Sequence, residues 1–424
     1  MRDEIELIQL KDTVGQLEQL GHRGSATKNE RFAADLLLEQ LESRSIDCEL
    51  EAFCGQSSYG SRILIHLVLG MFGLGILFWI PVVSLLISLV ALVSFLAETL
   101  AFPIGVSSLL SMGRSQNVVG RISATKTARR RIVLCAHMDT QRTGWIWNAS
   151  RVKNFTSTLG LAPGPLKAPL FLLTLVLVVQ LALAVLVIAG LFEMEMSVLV
   201  IPFGFFYAFA MLLVGQWSIG AFVPGANDNA TGVACVVALA SRWGRTQHDE
   251  TELVVLFTGC EESGSIGASS WAQRHSQELA QVPTVFLNLD TLGCRQLHYL
   301  KHECALNGAI LEYPQPLLEL CQTVAHEMRL EFTLPHRIPT QTDGLAFLVR
   351  GIPGITLTSS ESGIFVPDYH LMSDRFEKLN FVSIQRATDF AWALMIELEQ
   401  RDEEQAVKQS MLDIDGAAVS IGLI

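Results

Sequence analysis

Seven side chains of this sequence could carry out metal-assisted hydrolysis together: His137, Asp139, Asp228, Glu261, Glu262, Asp290 and His370. Each closes a short apolar run or sits in a tight loop, where α/β folds put their chemistry. His137 and Asp139 follow Ile132–Ala136, Glu261 and Glu262 follow Leu253–Thr258, and Asp290 follows Val285–Leu289. Asp228 lies in Pro224-Gly225-Ala226-Asn227-Asp228-Asn229-Ala230-Thr231-Gly232, which leads into the apolar helical run Val233–Ala240. Small neighbours there let two cations and a solvent molecule crowd against one carboxylate. Read singly, these are a turn with a helix N-cap, an exposed strand end, a solvated acidic pair and a surface histidine. The signal is their joint order.

Imidazole and carboxylate donors without a thiolate suit zinc, and also manganese or cobalt, and argue against a closed structural site. Two metals sharing one carboxylate would lower the pKa of water between them to about 7 and polarise a carbonyl. Glu261 and Glu262, adjacent on a strand end, are expected to point in opposite directions, one ligating and one taking a proton. Asp139, two residues past His137, returns to the same side and is expected to fix the imidazole.

Elements that could position these groups are visible in the pattern. Glu4–Leu20 and Thr27–Glu42 have helical spacing, and Ser45–Phe53 alternates as a strand does. Asn117–Ser123 and Arg131–Ala136 read as strands joined by a polar turn, hence as antiparallel neighbours. From Pro224, helix Val233–Trp243, strand Leu253–Thr258, helix Ala268–Arg274 and strand Thr284–Leu289 alternate as βαβ units. Tyr313–Arg329 and Phe381–Glu399 read as helices and Gly354–Ser359 as a strand. The expected fold is α/β, a mixed, mostly parallel sheet sandwiched by helices.

Two apolar blocks interrupt it. Ile63–Phe102 has no Lys or Arg and one acid, Glu98, and is broken near Trp79-Ile80-Pro81. Ala168–Gly190 and Ser197–Phe222 form the second block. At about 20 residues per span, these make four transmembrane helices in two hairpins. The number is even because strands flanking each block belong to one sheet, so the chain must return to the side it left. His66 and Gln180 would face neighbouring helices, and Glu98 would reach the interface. The boundaries read from this are 1–60, 104–165 and 224–400 for the α/β domain, 61–103 and 166–223 for the hairpins, and 401–424 for a tail.

Half of the 424 residues are hydrophobic and the net charge is -12, which excludes nucleic acid as a natural partner. Eight cysteines without a C-x-x-C read as reduced core residues, and the charged start of the chain has no signal-peptide core.

The motifs A-H-M-D-T at 136–140, P-G-A-N-D-N-A-T-G-V-A at 224–234, C-E-E-S-G at 260–264, N-L-D at 288–290 and Y-H-L-M-S-D at 369–374 resemble one metallopeptidase family. It is the di-zinc exopeptidase family that includes bacterial leucyl aminopeptidases, glutamate carboxypeptidase II and the transferrin receptor ectodomain. The resemblance covers roughly residues 5–55, 115–140 and 224–398. It implies one zinc on His137, Asp228 and Asp290, a second on Asp228, Glu262 and His370, Glu261 as general base and Asp139 as orienting acid. It also implies a peptide substrate with a free N-terminus. Leu371-Met372 and Asp343-Gly344 stand where family members commonly have Thr-Pro and Asp-His, both expected near the substrate rim. A related clan of dimeric amidohydrolase-type enzymes shares the ligand order but inserts a dimerisation domain before the last histidine, where this chain has ordinary βα signals. The competing readings are another amide hydrolase, a glutaminyl-cyclase-like acyl transfer, and a receptor or scaffold on a peptidase fold. The oligomeric state is not readable from the sequence.

Overall fold

The apolar runs become strands and the small-residue loops become the turns that carry the polar groups. The structure, a computed structural model, describes residues 2–102, 104–110, 112–148, 168, 170–330, 341–363 and 365–400. Helices α1 (Arg2–Gln19) and α2 (Lys28–Glu42) lead into β1 (Asp47–Gly55). The apolar pair α3 (Tyr59–Gly75) and α4 (Pro81–Thr99) follows, and β2 (Gly113–Ile122) returns to the sheet. β3 (Arg130–His137) precedes a second apolar pair, α5 (Phe171–Ile188) and α6 (Ile201–Ser218). Next come α7 (Thr231–Trp243), β4 (Thr251–Thr258), α8 (Ile266–Arg274) and β5 (Thr284–Leu289). Three short strands, β6 (Gln296–Tyr299), β7 (His302–Cys304) and β8 (Ile310–Glu312), are too short to leave a periodic signal. The chain closes with α9 (Gln315–Glu327), α10 (Asp343–Leu348), β9 (Gly354–Ser360) and α11 (Phe381–Gln400).

The main sheet runs β1-β2-β4-β3-β5-β9-β6. β4, β3, β5 and β9 are parallel, and antiparallel strands flank them on both sides. The four central strands are almost wholly buried, as a sheet covered on both faces requires. The mixed α/β architecture with a parallel centre is as expected. The pairing of β2 with β3 is not, because β4 lies between them. A short turn can join two strands across a third. Here Thr125 and Lys126 bond back to His248 and Asp249, just before β4. β2 and β3 still run in opposite directions, since Val118 and Ala136 both pair with Phe257. The start of β2 therefore lies at the edge where β3 ends. The buried helix α7 packs behind that edge.

The apolar helices form a bundle of their own. α3 packs on α4 and α6, and α4 packs on α5. His66 meets Ser94 at 2.8 Å, and Gln180 bonds Gly70 O, Ser88 and Tyr207, so both polar side chains face neighbouring helices. Glu98 departs from expectation: it is 2 % exposed and faces Arg62 rather than an interface. Burial drove the pairing, because an acid at that depth needs a cation. Among the described residues three helices are long and apolar enough to cross a membrane: Pro81–Thr99, Phe171–Ile188 and Met194–Ser218. Tyr59–Gly75 is apolar but shorter.

Candidate metal centre

The carboxyl ends of the parallel strands deliver the side chains. β3 ends at His137, β4 runs into the turn holding Glu261 and Glu262, and β5 runs into Asp290. Asp228 comes from the loop before α7, and His370 from the stretch between β9 and α11. His137 Nε2 lies 3.2 Å from Asp228 Oδ1 and 3.8 Å from Asp290 Oδ1. His370 Nε2 lies 3.1 Å from Asp228 Oδ2 and 3.4 Å from Glu262 Oε2. His137, Asp228 and Asp290 thus form one buried group that could hold a cation, and Asp228, Glu262 and His370 form another. Each imidazole takes one oxygen of the same carboxylate.

The loop that presents Asp228 is pinned to the one that presents Asp290. Asn229 Oδ1 accepts from Thr291 N, Thr231 Oγ1 accepts from Leu292 N, and Asn227 Oδ1 accepts from Gly293 N. The Asp228–Asn229 peptide is cis. Gly225, at φ +65°, has no room for a side chain: a Cβ there would lie 2.3 Å from Thr140. Its left-handed backbone is one that glycine adopts at no steric cost.

Three expectations need correction. Glu261 and Glu262 do not diverge: oxygens of both and a nitrogen of His137 lie within 4.8 Å of one another. The strand geometry that would separate them has already ended, for Cys260 has φ +54° and the chain turns there. Asp139 is the second. His137 Nδ1 donates to the Asp139 carbonyl at 3.2 Å, while the nearest carboxylate oxygen is 3.7 Å away. That carboxylate accepts instead from Glu261 N at 3.0 Å, Glu262 N at 3.1 Å and Ser25 Oγ at 2.6 Å. Its backbone orients the histidine and its side chain orients the acidic turn. Asp343 and Gly344 are also not at a rim. Both are buried at the start of α10, where the Thr258 hydroxyl donates to Asp343. Met372, in contrast, is exposed beside His370.

Four positioning residues were not read as such from the sequence. The fully buried Arg23 donates to Met138 O, Pro224 O and Gly225 O, clamping the end of β3 to the Asp228 loop. Burial lowers its pKa to about 10, against the pull of Asp374 and Asp139. Glu30 accepts from Cys260 N and Ser115 Oγ. Burial and the nearby Asp139 raise its pKa to about 8. Gln141 Nε2 donates to Glu262 O at 3.0 Å and Oε2 at 2.8 Å. Asp374 accepts from the amides of Asn227 and Asp228 at 2.8 and 3.1 Å. Only Gln141 and Asp374 had a signal, lying beside or within motifs already noted.

Charge in the site is unbalanced. Glu261, Glu262, Asp228 and Asp290 are buried against two imidazoles. Burial, and Glu262 among the neighbouring acids, push Glu261 well above the ordinary carboxylate range despite His137. Burial, opposed by His370 and reinforced by Asp228, raises Glu262 to about 7. Burial works to lower His370, but Glu262 and Asp228 outweigh it and raise it to about 9. Burial would also raise Asp228, yet the imidazoles of His137 and His370 beside it hold it below its ordinary value. Like charges about 4 Å apart repel by about 4 kcal/mol at an effective dielectric of about 20. Glu262 Oε1 and His370 Nε2 are buried without a hydrogen-bond partner. An orphaned donor set with excess negative charge is what a divalent cation completes, so these residues fit a metal.

One wall of the site is aromatic and joins the apolar bundle. Trp147 meets His370 edge-on at 4.3 Å between centroids, and Tyr369 stacks on His370 at 3.7 Å. Trp147 also contacts Trp217 at the end of α6, which contacts Tyr59 at the start of α3. The loop 144–167, with Trp145, Trp147 and Phe155, is the stretch expected at this rim, and Phe155 and Lys167 lie outside the described residues.

Residues 213–395 match the description of peptidase family M28. Over 80 residues the chain is 30% identical to a probable lipoprotein aminopeptidase of Mycobacterium tuberculosis, a match spanning 19% of this chain and 16% of that protein. Its fold is similar to that of a zinc aminopeptidase from Bacillus subtilis, with TM-score 0.54, 14% identity, and 93% of this chain and 96% of that one covered. It is also similar to Porphyromonas gingivalis glutaminyl cyclase, with TM-score 0.55, 12% identity, and coverage of 92% and 98%.

Proposed function

We propose, from the match of residues 213–395 to peptidase family M28, that the chain is a membrane-embedded, metal-dependent exopeptidase of aminopeptidase type. The observation that carries the reading is the sharing of Asp228 by two buried ligand groups. His137, Asp228 and Asp290 would hold one zinc ion and Asp228, Glu262 and His370 a second, with manganese or cobalt as chemically compatible substitutes. When bound, the ions supply Lewis acidity, polarising the scissile carbonyl and lowering the pKa of water at the site toward about 7. Glu261 takes the proton from that water and returns it to the leaving amine. Asp139 holds the Glu261 and Glu262 amides, so both carboxylates stay aimed at one place. Trp147 and Tyr369 close one wall against solvent.

The test is metal content of the purified protein together with hydrolysis of short peptides with free and N-acetylated ends. Cleavage confined to free amino ends, with zinc bound, is expected. Zinc-loaded protein that cleaves neither would leave the scaffold reading. Release of ammonia from an N-terminal glutamine without chain cleavage would favour the cyclase-like reading, which the fold likeness to a glutaminyl cyclase keeps in view.

Four spans in two hairpins is the membrane arrangement we adopt. Tyr59–Gly75 has 17 residues, the lower limit for a span, and at 1.5 Å per residue it reaches about 26 Å. The bundle's outer surface supports lipid contact: Phe72, Val93, Leu172, Phe205 and Phe209 are all exposed. The hairpins spring from the catalytic edge, since Tyr59 and Trp217 are linked to His370 through Trp147. Substrates then approach along the membrane surface, as short or amphipathic peptides do.

The peptidase side of the hairpins carries Arg62, Arg114, Arg151, Lys153 and Lys167, while the opposite turns have no Lys or Arg and the second has Glu193 and Glu195. That bias puts the catalytic domain in the cytoplasm. Arg151, Lys153 and Lys167 lie outside the described residues, and Arg62 is paired with Glu98. The Asn229 sequon is fully buried and closed to glycosylation. Thr127→Cys, introduced at an exposed position with the exposed Cys54 replaced by serine, should react with an impermeant thiol reagent only after permeabilisation. Ready labelling in intact cells reverses the orientation.

A further inference from the structure

Arg62 and Glu98 form a buried ion pair inside the bundle, and no step of the proposed chemistry uses it. Arg62 is 4 % exposed and its Nε lies 3.1 Å from Glu98 Oε2. Glu98 is in turn fixed by Ser107 N at 3.0 Å and Ser94 Oγ at 3.2 Å. The remaining arm of the guanidinium leaves the bundle: Nη1 donates to Ser263 O at 2.5 Å. Ser263 follows Glu262 directly.

The turn that carries Glu261 and Glu262 is held from two sides. Asp139 bonds the two glutamate amides, Glu30 bonds Cys260 N and Gln141 bonds Glu262, all from outside the apolar helices. From the bundle side Arg62 bonds Ser263. Gly264 stands at φ +109°, and a Cβ there would lie 2.3 Å from Arg62 Nη1, so the guanidinium lies close against the turn. A buried ion pair is a weak source of stability, because desolvation offsets the attraction. What it supplies is direction. A planar guanidinium fixed at Nε on one carboxylate has its other donors aimed, which a flexible ammonium does not.

We infer that Arg62, locked by Glu98, is a positioning residue for the catalytic turn, so that the first apolar hairpin helps hold Glu262 in the site. The inference rests on the proposed metal centre. Residues behind a metal ligand typically change affinity or activity by about 10- to 100-fold when replaced.

The test uses the full chain in lipid, with Arg62→Met, Arg62→Lys and Glu98→Gln. Zinc affinity is measured by chelator competition, alongside kcat, KM and Tm. Arg62→Met is expected to weaken the looser zinc by about 10- to 100-fold and to lower kcat with KM little changed. Arg62→Lys keeps a charge beside Glu98, and so the bundle, but loses the fork, and should weaken zinc by about 10-fold. Glu98→Gln should fall between these two. Gln180→Leu is the control: it breaks contacts with Gly70, Ser88 and Tyr207 inside the bundle without reaching the turn. It should lower Tm while zinc affinity and kcat stay native. Native zinc affinity in the folded Arg62 variants overturns the inference, as does a Gln180→Leu chain whose affinity falls in step with its Tm. If the parent chain hydrolyses no peptide but Arg62 variants still lose zinc, the proposed activity fails and the positioning role stands.

Discussion

Replacing Glu261 by glutamine is expected to lower turnover by roughly 10²- to 10⁴-fold while both metals stay bound. The amide keeps the volume of the side chain and removes only its capacity to accept and return a proton. Among its described hydrogen bonds the carboxylate receives only one from a side chain, from Ser265 Oγ at 3.4 Å, and the turn is held through backbone amides by Asp139. The substitution therefore leaves the positioning of Glu262 alone. Burial and the neighbouring acids already push the Glu261 carboxyl well above its ordinary range, against His137, so it holds a proton strongly. The geometry also permits a rival role, because Glu261 forms a third possible ligand group with His137 and Glu262. Zinc analysis separates the two. Loss of zinc in Glu261→Gln makes the residue a ligand, and near-normal turnover with zinc bound removes it from the mechanism.

Much of the site was legible because its residues sit in short motifs at strand ends, and strand ends of a parallel sheet share one edge. His137, Glu262 and Asp290 come together for that reason, and the loops that carry Asp228 and His370 reach the same edge. What was illegible depends on single residues meeting across the fold. Arg23 sits in a turn after α1 and clamps two loops that are far away in sequence. Glu30 looks like one more acid on an amphipathic helix, and only burial against Cys260 and Ser115 gives it a role. Strand order was misread for a related reason. A short connection is evidence of adjacency only where no later strand can enter the gap, and β4 does so between β2 and β3. The divergence expected of Glu261 and Glu262 failed at one backbone angle, at Cys260, which no periodicity reports. Glu98 was read by its distance along a span, whereas its environment was set by Arg62 on the neighbouring helix.

Removing the shared ligand should have the largest effect on metal. Asp228→Ala is expected to lose both ions and all measurable turnover, whereas Asp290→Ala should lose one ion. Asp228 faces His137 with one oxygen at 3.2 Å and His370 with the other at 3.1 Å. Without it each group keeps two protein ligands, below the three that catalytic zinc sites use. The metal-free fold should survive, because the change takes one negative charge out of a buried cluster already rich in carboxylates. Equal thermal melts of the chelator-treated native and variant chains check this. Zinc titration of the native chain should also depend on pH in a defined direction. In the metal-free site His370 is raised to about 9, burial notwithstanding, by Glu262 and Asp228, and Glu262 is raised to about 7 by burial. Both must shed a proton to bind zinc. Apparent affinity therefore rises as pH climbs through about 7 and on toward 9, with protons released on binding. An Asp228→Ala chain that still binds two zinc ions tightly over that range would show that the two groups do not share this carboxylate, and the paired-metal arrangement would have to be abandoned.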